Sequence, residues 1–359
     1  MLTFMSKHDF CSWLNQFSHP NLISDWAHSP GVVQVTASGQ FVIHIPFAAH
    51  ALRQELQAWI TNQQQTKAVA AFDYSVNVTP KALITKVPHG VKGVKNIIAV
   101  TSAKGGVGKS TTAANLALAI AGSGAKVGLL DADIYGPSVP MMFGTQDAKP
   151  SVRDNKWMQP VKAHGIYTHS IGYLVDKADA AIWRGPMASK ALAQLVNETE
   201  WPELDYLVVD MPPGTGDIQL TLSQQIPVTG AVIVTTPQDL ALADARKGAA
   251  MFAKVDVPVV GLIENMSYHI CRHCGEKEAI FGVGGAQTLA TEYGLSLLAQ
   301  IPLHVTLRED IDAGKPTVIA RPDSEHSQQY YALAERICAS LYWQGKAKPQ
   351  TIDLTFVSE

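Results

Sequence analysis

The feature that most limits the folds open to this chain is a glycine-rich loop, KGGVGKST at 104–111. It stands between an apolar run, NIIAVTS from Asn96, and a helix-like segment, TTAANLALAIAG, at 111–122. A Gly-rich turn from strand to helix points backbone N–H groups at an anion, and the helix N-terminus adds partial positive charge. The stretch meets the pattern G-x-x-x-x-G-K-[ST] except at its first position, where Ala103 replaces glycine, and a second lysine, Lys104, lies inside the loop. Ala103 is tolerable at negative φ, because only positions that need φ > 0 or a close backbone approach require glycine. Lys109 is then placed to extend along the β and γ phosphates of a nucleotide, and Ser110 to offer its hydroxyl to Mg²⁺.

Further short runs, apolar on both faces, follow at KVGLLD (126–131), YLVVD (206–210), GAVIVTT (230–236), PVVGLIEN (258–265) and LLAQI (297–301). Strands of this kind belong in a parallel sheet covered on both sides. Helical periodicity at 187–196, 242–255 and 327–342 supplies the covers, so the expected architecture is α/β, with a mostly parallel, doubly wound sheet. Before residue 90 the pattern differs. A hairpin is expected over 32–47, turning at Ser38-Gly39, then an amphipathic helix over 50–60, together a small α+β domain. The Gly- and Lys-containing segment 86–96 reads as a linker. The expected division is therefore a small accessory domain at 1–90, a nucleotide-binding domain at 91–345 and a loosely held tail at 346–359.

Ligands of open α/β sheets sit at the carboxyl ends of the strands, where DADIYGPS from Asp131 and DMPPGTGD from Asp210 place carboxylates. Asp210 is the candidate Mg²⁺ ligand and Asp133 the candidate for positioning an attacking water. Each could instead simply cap a following helix or turn. With a net charge of −3 and a pI near 6.5, no basic field argues for nucleic acid or an anionic membrane as partner. The start of the chain lacks a secretory pattern and no run approaches a membrane span, so the expected location is cytoplasmic.

Four cysteines are too few for a disulfide framework in a chain of 359 residues, and two of them stand together as Cys271 and Cys274. Thiolates at this spacing can bind one metal centre, but two do not complete a four-ligand site. A symmetric dimer would complete it with the same pair from a second chain. Zinc, with His269 and His273 flanking the pair, and dithiol redox chemistry are the alternatives. Cys11 stands alone, and Cys338, on an apolar helical stretch, is expected to be buried and structural.

Taken together, KGGVGKST, DADIYGPS, WRGPM, LDYLVVDMPPGTGD, TTPQDLALADARKG, MFAKV and VVGLIENMS resemble the Mrp family of iron–sulfur cluster carrier ATPases over about 91–336. That family belongs to the deviant Walker A group of P-loop NTPases, with MinD and ParA-type ATPases and nitrogenase iron protein. The resemblance implies an ATP-hydrolysing homodimer in which Lys104 reaches the partner subunit's nucleotide. Lys109 and the amides of Gly105, Gly106, Val107, Gly108, Ser110 and Thr111 would hold phosphate, and Ser110 would ligate Mg²⁺. Asp133 would orient water and Asn265 would recognise adenine, although an amide capping a loop is the plainer role for Asn265. Asp131 and Asp217 would support the switch regions. A 4Fe–4S cluster bridging two subunits through Cys271 and Cys274 would come from a donor and pass to apo iron–sulfur proteins. Many Mrp proteins have glycine where Ala103 stands, while the wider group varies there. The small N-terminal region resembles, more weakly, a domain that Mrp proteins carry. A MinD- or ParA-type positioning ATPase is the runner-up, but its amphipathic membrane helix or basic stripe is not found, and the segment PQTIDLTFVSE at 349–359 is acidic. A zinc-stabilised regulatory ATPase is the third reading.

Overall fold

The computed structural model describes residues 4, 6–87, 89–175, 185–214, 216–271 and 273–348. In chain order the strands are β1 Val33–Val35, β2 Phe41–Ile45, β3 Tyr74–Val78, β4 Val94–Thr101, β5 Val127–Asp131, β6 Val152–Arg153, β7 Trp157–Met158, β8 Val161–Ala163, β9 Ile166–Ser170, β10 Leu204–Asp210, β11 Gly230–Thr235, β12 Val259–Ile270, β13 Lys277–Glu278 and β14 Leu297–Leu303. The helices are α1 Lys7–Leu14, α2 Ala51–Gln65, α3 Lys109–Gly122, α4 Val139–Met142, α5 Gly185–Asn197, α6 Asp217–Gln225, α7 Asp239–Lys254, α8 Gly285–Tyr293, α9 Val305–Asp312, α10 Thr317–Ala320 and α11 Glu325–Gln344.

The large sheet runs β13-β12-β11-β4-β10-β5-β9-β8, with β14 on the other side of β12. All its pairings are parallel except β12–β13 and β8–β9 at the two edges. Its central strands are buried on both faces, and the alternation of period two sorts their side chains. Ile98, Val100, Leu129, Val208 and Val232 join one core with α3 and α11. Ile97, Ala99, Leu130, Leu207 and Val209 join the other with α5 and residues of α7 such as Phe252. Fully burying one such aliphatic side chain is worth about 1.5–3 kcal/mol, which is why continuous apolar runs settle here.

The N-terminal segment forms a separate three-stranded sheet, β1 antiparallel and β3 parallel to β2, with the expected hairpin turn. Phe10 stacks on Phe41 with ring centroids 3.9 Å apart, and Phe72 meets both rings edge-on. This unit joins the core cluster that contains α3 and α11. The buried carboxylate of Glu335 on α11 accepts from the amides of His50, Ala51 and Leu52 at 3.2, 3.0 and 3.1 Å and so caps α2 from outside. Ala49 N donates to Ser123 O at the end of α3.

Two expectations change in detail. The linker assigned to 86–96 stops at Gly93, because β4 starts at Val94 and buries Val91 beside it. Residues 346–348 are held against the segment that precedes β4, with Ile84 N donating to Lys346 O and Lys348 N to Ala82 O. The rest of the tail assigned to 346–359, and Trp183 and Arg184 of WRGPM, lie outside the described residues. Strands β3, β8 and β9 carry no clear signal in the sequence, being short and, in IYTHS, largely polar.

Candidate functional site

The loop between β4 and α3 crosses the carboxyl edge of the sheet. Gly106 and Gly108 have φ of 82° and 81°, a region costly for any residue with a Cβ, and Ala103 is not among the positive-φ residues. A Cβ on Gly108 would also lie 2.2 Å from Asn265 Nδ2. Ser102 Oγ donates to Lys104 O and Gly214 N to Ser102 O, which ties the loop to the segment after β10. Lys104 is exposed at the mouth, with Gly105 and Gly106.

Lys109, at the first turn of α3, is only 6% exposed and meets Asp210 Oδ1 at 2.5 Å, Ser110 Oγ at 3.3 Å and Asp133 Oδ2 at 3.8 Å. The ammonium thus neutralises two carboxylates that burial would otherwise penalise. Asp210 is fully buried, and its Oδ2 has no hydrogen-bond partner. Burial raises the Asp133 carboxyl above its ordinary range, with Lys109 opposing the shift. Asp131, beside Asp210 in the sheet, is pushed up to about 7 by burial and then by that neighbouring charge. Gly105, Gly106, Gly108, Lys109, Ser110, Thr111 and Asp133 share one cleft of ≈ 290 Å³.

A second cavity of ≈ 320 Å³ adjoins this cleft and shares Gly108, Thr111 and Ile311 with it. Pro302, Leu303, Leu307 and Tyr330 give it apolar walls. Asn265, 7% exposed, lines it, and its Nδ2 donates to Val107 O at 2.8 Å. The amide therefore braces the loop from the side that faces the second cavity. The two volumes together offer an anion cradle rich in backbone N–H groups next to an apolar slot, a shape suited to a nucleotide.

Two polar side chains that shape this edge had no motif to betray them. Gln219 on α6 donates through Nε2 to Pro212 O at 2.7 Å and Thr101 Oγ1 at 2.5 Å, linking the end of β4 to the segment after β10. Ser170, ending β9, donates to Asp131 Oδ2 at 3.0 Å. Asp217 opens α6, but its side chain lies outside the described residues.

The cysteine pair occupies a different place. β12 continues six residues past Glu264, through a bulge with Met266 at φ 56°, and returns as β13. Cys271 N donates to Glu276 O and Gly275 N to Cys271 O, both at 2.9 Å, closing a tight turn with Gly275 at φ 75°. Cys274 is exposed and Cys271 half-buried. Hydrogen bonds from the amides of Cys274 and His273 and from the Cys274 thiol lower the Cys271 pKa, favouring the thiolate. Cys11 and Cys338 are buried, and burial pushes the Cys338 thiol up to about 12. Among the described residues no group of three or more His, Cys, Asp or Glu side chains is placed to hold a metal ion.

Residues 93–338 match the family described as ParA, NUBPL iron-transfer P-loop NTPase. The chain is 58% identical to the iron-sulfur cluster carrier protein of Salmonella typhimurium over 305 residues, 85% of this chain and 82% of that one. It is 53% identical to the iron-sulfur cluster carrier protein of Haemophilus influenzae over 347 residues, 94% and 93% of the two chains. Among solved structures, the nucleotide-binding protein from Archaeoglobus fulgidus in complex with ADP is similar with a TM-score of 0.57 and 38% identity, over 65% of this chain and 90% of that one.

Proposed function

We propose that this chain, which belongs to the NUBPL iron-transfer P-loop NTPase family, is an ATP-binding and ATP-hydrolysing carrier that takes up an iron–sulfur cluster and delivers it to apo-proteins. The observation that carries this reading is that one strand, β12, joins the two candidate sites. Asn265 braces the phosphate loop, and six residues on, Cys271 begins the turn that presents the thiols. A change at the nucleotide has a direct covalent route to the cysteines.

In the nucleotide cleft, the amides of the loop and Lys109 would hold the β and γ phosphates, which requires the ammonium to turn from Asp210 towards the incoming anion. The donor set suits Mg²⁺: Asp210 Oδ2 is a buried oxygen without a partner and Ser110 offers a hydroxyl close by. When bound there, Mg²⁺ supplies positive charge to the β and γ oxygens. Asp133 would orient the water that attacks the γ phosphorus. Asn265, braced on Val107, would present its amide edge to the base in the adjoining apolar cavity.

The cluster is cargo rather than a fixture. Two thiols on an exposed turn supply half the ligands that a 4Fe–4S cluster takes, so a second chain would supply the same pair across a two-fold axis. Exposure of Cys274 leaves that cluster open to exchange, which suits delivery. Lys104, exposed at the loop's mouth, would then face the partner subunit's nucleotide. No helix of the described residues is long and apolar enough to cross a membrane, and we assign the carrier to the cytoplasm. Residues 1–90 would act as an accessory domain beside the ATPase domain at 91–345.

ATP hydrolysis by the purified protein, measured beside Lys104→Ala and Lys109→Ala, tests the nucleotide reading. Lys109→Ala should abolish turnover by loss of binding. Lys104→Ala should bind nucleotide normally and lose ATP-dependent dimer formation and turnover. Full turnover by an enforced monomer would refute the two-subunit reading.

A further inference from the structure

Three residues lie in register across the carboxyl edge of the sheet: Asp210 on β10, Asp131 on β5 and Ser170 on β9. All three are fully buried. Neighbouring buried carboxylates repel one another, and Asp210 answers this with Lys109. Asp131 answers it with hydrogen bonds. Its Oδ1 accepts from Asp133 N at 3.1 Å, and its Oδ2 from Ser138 N, Val139 N and Ser170 Oγ at 2.9, 3.0 and 3.0 Å.

Of these four donors only Ser170 is a side chain. Its hydroxyl has a fixed direction, because Oγ accepts from Gly172 N at 3.0 Å and so turns its own hydrogen to Asp131. Gly172 itself stands close to its neighbours: a Cβ on it would lie 3.1 Å from Pro137 Cβ, 3.2 Å from Pro140 Cγ and 3.3 Å from Ser170 Oγ. The turn after β9 is thus packed against the segment that runs from Asp133 into α4. That segment supplies Asp133, Gly136 and Ser138 to the wall of the phosphate cleft.

We propose that Ser170 is a positioning residue for hydrolysis. Through Asp131 it fixes the amide of Asp133 and the start of α4, and so sets where the Asp133 carboxylate stands relative to Lys109 and the cleft. Without the hydroxyl, the Asp131 carboxylate keeps its three backbone donors but loses its side-chain tether to β9, and only the backbone ladder of β5 and β9 remains between them. The loop is then free to shift with the carboxylate. The inference rests on the ATPase reading of the cleft.

The experiment compares the full-length wild type with Ser170→Ala and Ser170→Thr, by amide hydrogen exchange and by steady-state ATP hydrolysis. Loss of one charge-assisted hydrogen bond should speed exchange of the Asp133, Ser138 and Val139 amides by about tenfold while β10 exchanges as before. In the same variant kcat should fall by about tenfold with the KM for ATP within about twofold, and Ser170→Thr, which keeps the hydroxyl but adds a methyl to a fully buried site, should recover part of both. If Ser170→Ala folds poorly, Ser170→Cys, with nearly the same shape and a weaker donor, should give intermediate values. Wild-type exchange at those three amides in Ser170→Ala overturns the inference, and so does an unchanged kcat in a wild type that hydrolyses ATP. A wild type without hydrolysis refutes the ATPase reading instead, and the exchange rates still decide the role of Ser170.

Discussion

The Lys109 ammonium and the Asp210 carboxylate meet at 2.5 Å in a place almost closed to water, and each depends on the other. Removing the lysine leaves Asp210 buried and unpaired, which costs about 3–5 kcal/mol for a pair of this kind. Lys109→Ala should therefore unfold at markedly lower urea concentration than the wild type in nucleotide-free buffer. The double variant Lys109→Ala/Asp210→Asn should recover most of the loss. If the single variant were as stable as the wild type, the pair would not be closed in solution.

Gly108 answers to two constraints at once, a φ of 81° and the 2.2 Å approach of Asn265 Nδ2 to any added Cβ. Gly108→Ala should push the Asn265 amide off Val107 O and distort the loop. Nucleotide affinity, measured by calorimetry, is expected to fall at least about tenfold, which corresponds to about 1.4 kcal/mol. Gly105→Ala should be milder, since Gly105 is not at positive φ and a Cβ there meets nothing within 4 Å.

The four cysteines should separate cleanly by reactivity. Cys271 has a lowered pKa and Cys274 is exposed, whereas Cys11 and Cys338 are buried with thiols raised by desolvation. Iodoacetamide on the native apo-protein near neutral pH should label Cys271 and Cys274, Cys271 first, and reach Cys11 and Cys338 only after denaturation. Peptide mapping of the labelled sites reads this directly.

His169 gives the stability a definite pH dependence. Both its ring nitrogens are buried without partners, and desolvation pushes its pKa down to about 4. Between the ordinary value of 6.5 and about 4 the unfolded chain binds a proton that the folded chain refuses. Folding stability from this residue is therefore complete above pH 6.5 and falls as the pH drops through that window. Asp131, whose carboxyl is raised to about 7, acts in the opposite direction over the same window, so His169→Leu should lower the slope of stability against pH by up to about 1.4 kcal/mol per pH unit relative to the wild type. Denaturation curves at several pH values check the slope.

Much of this arrangement was legible in the chain itself, for reasons that differ from residue to residue. KGGVGKST, Asp131, Asp133 and Asp210 stood out because phosphate chemistry needs fixed residue types at fixed spacings, and the strands that carry them are apolar on both faces. Ser170 and Gln219 did not, because a hydroxyl or amide that positions another side chain obeys no spacing rule. Its partner lies on a different strand, and only the register of β5 against β9 brings Ser170 to Asp131. The bracing of Val107 by Asn265 was likewise open, since a side-chain amide after a strand can face a base or a loop. The turn around Cys271 and Cys274 was readable as a metal-binding spacing, whereas the backbone donors that favour its thiolate depend on the hairpin closing as β12–β13.

The most direct test of the carrier reading is anaerobic reconstitution with iron and sulfide, followed by Mössbauer spectroscopy and measurement of the assembly state, on the wild type and on Cys271→Ser/Cys274→Ser. The expected result is about one 4Fe–4S cluster per two wild-type chains and none in the double variant, whose ATP binding should persist. A full cluster in the double variant, or one held by single wild-type chains, would contradict the account.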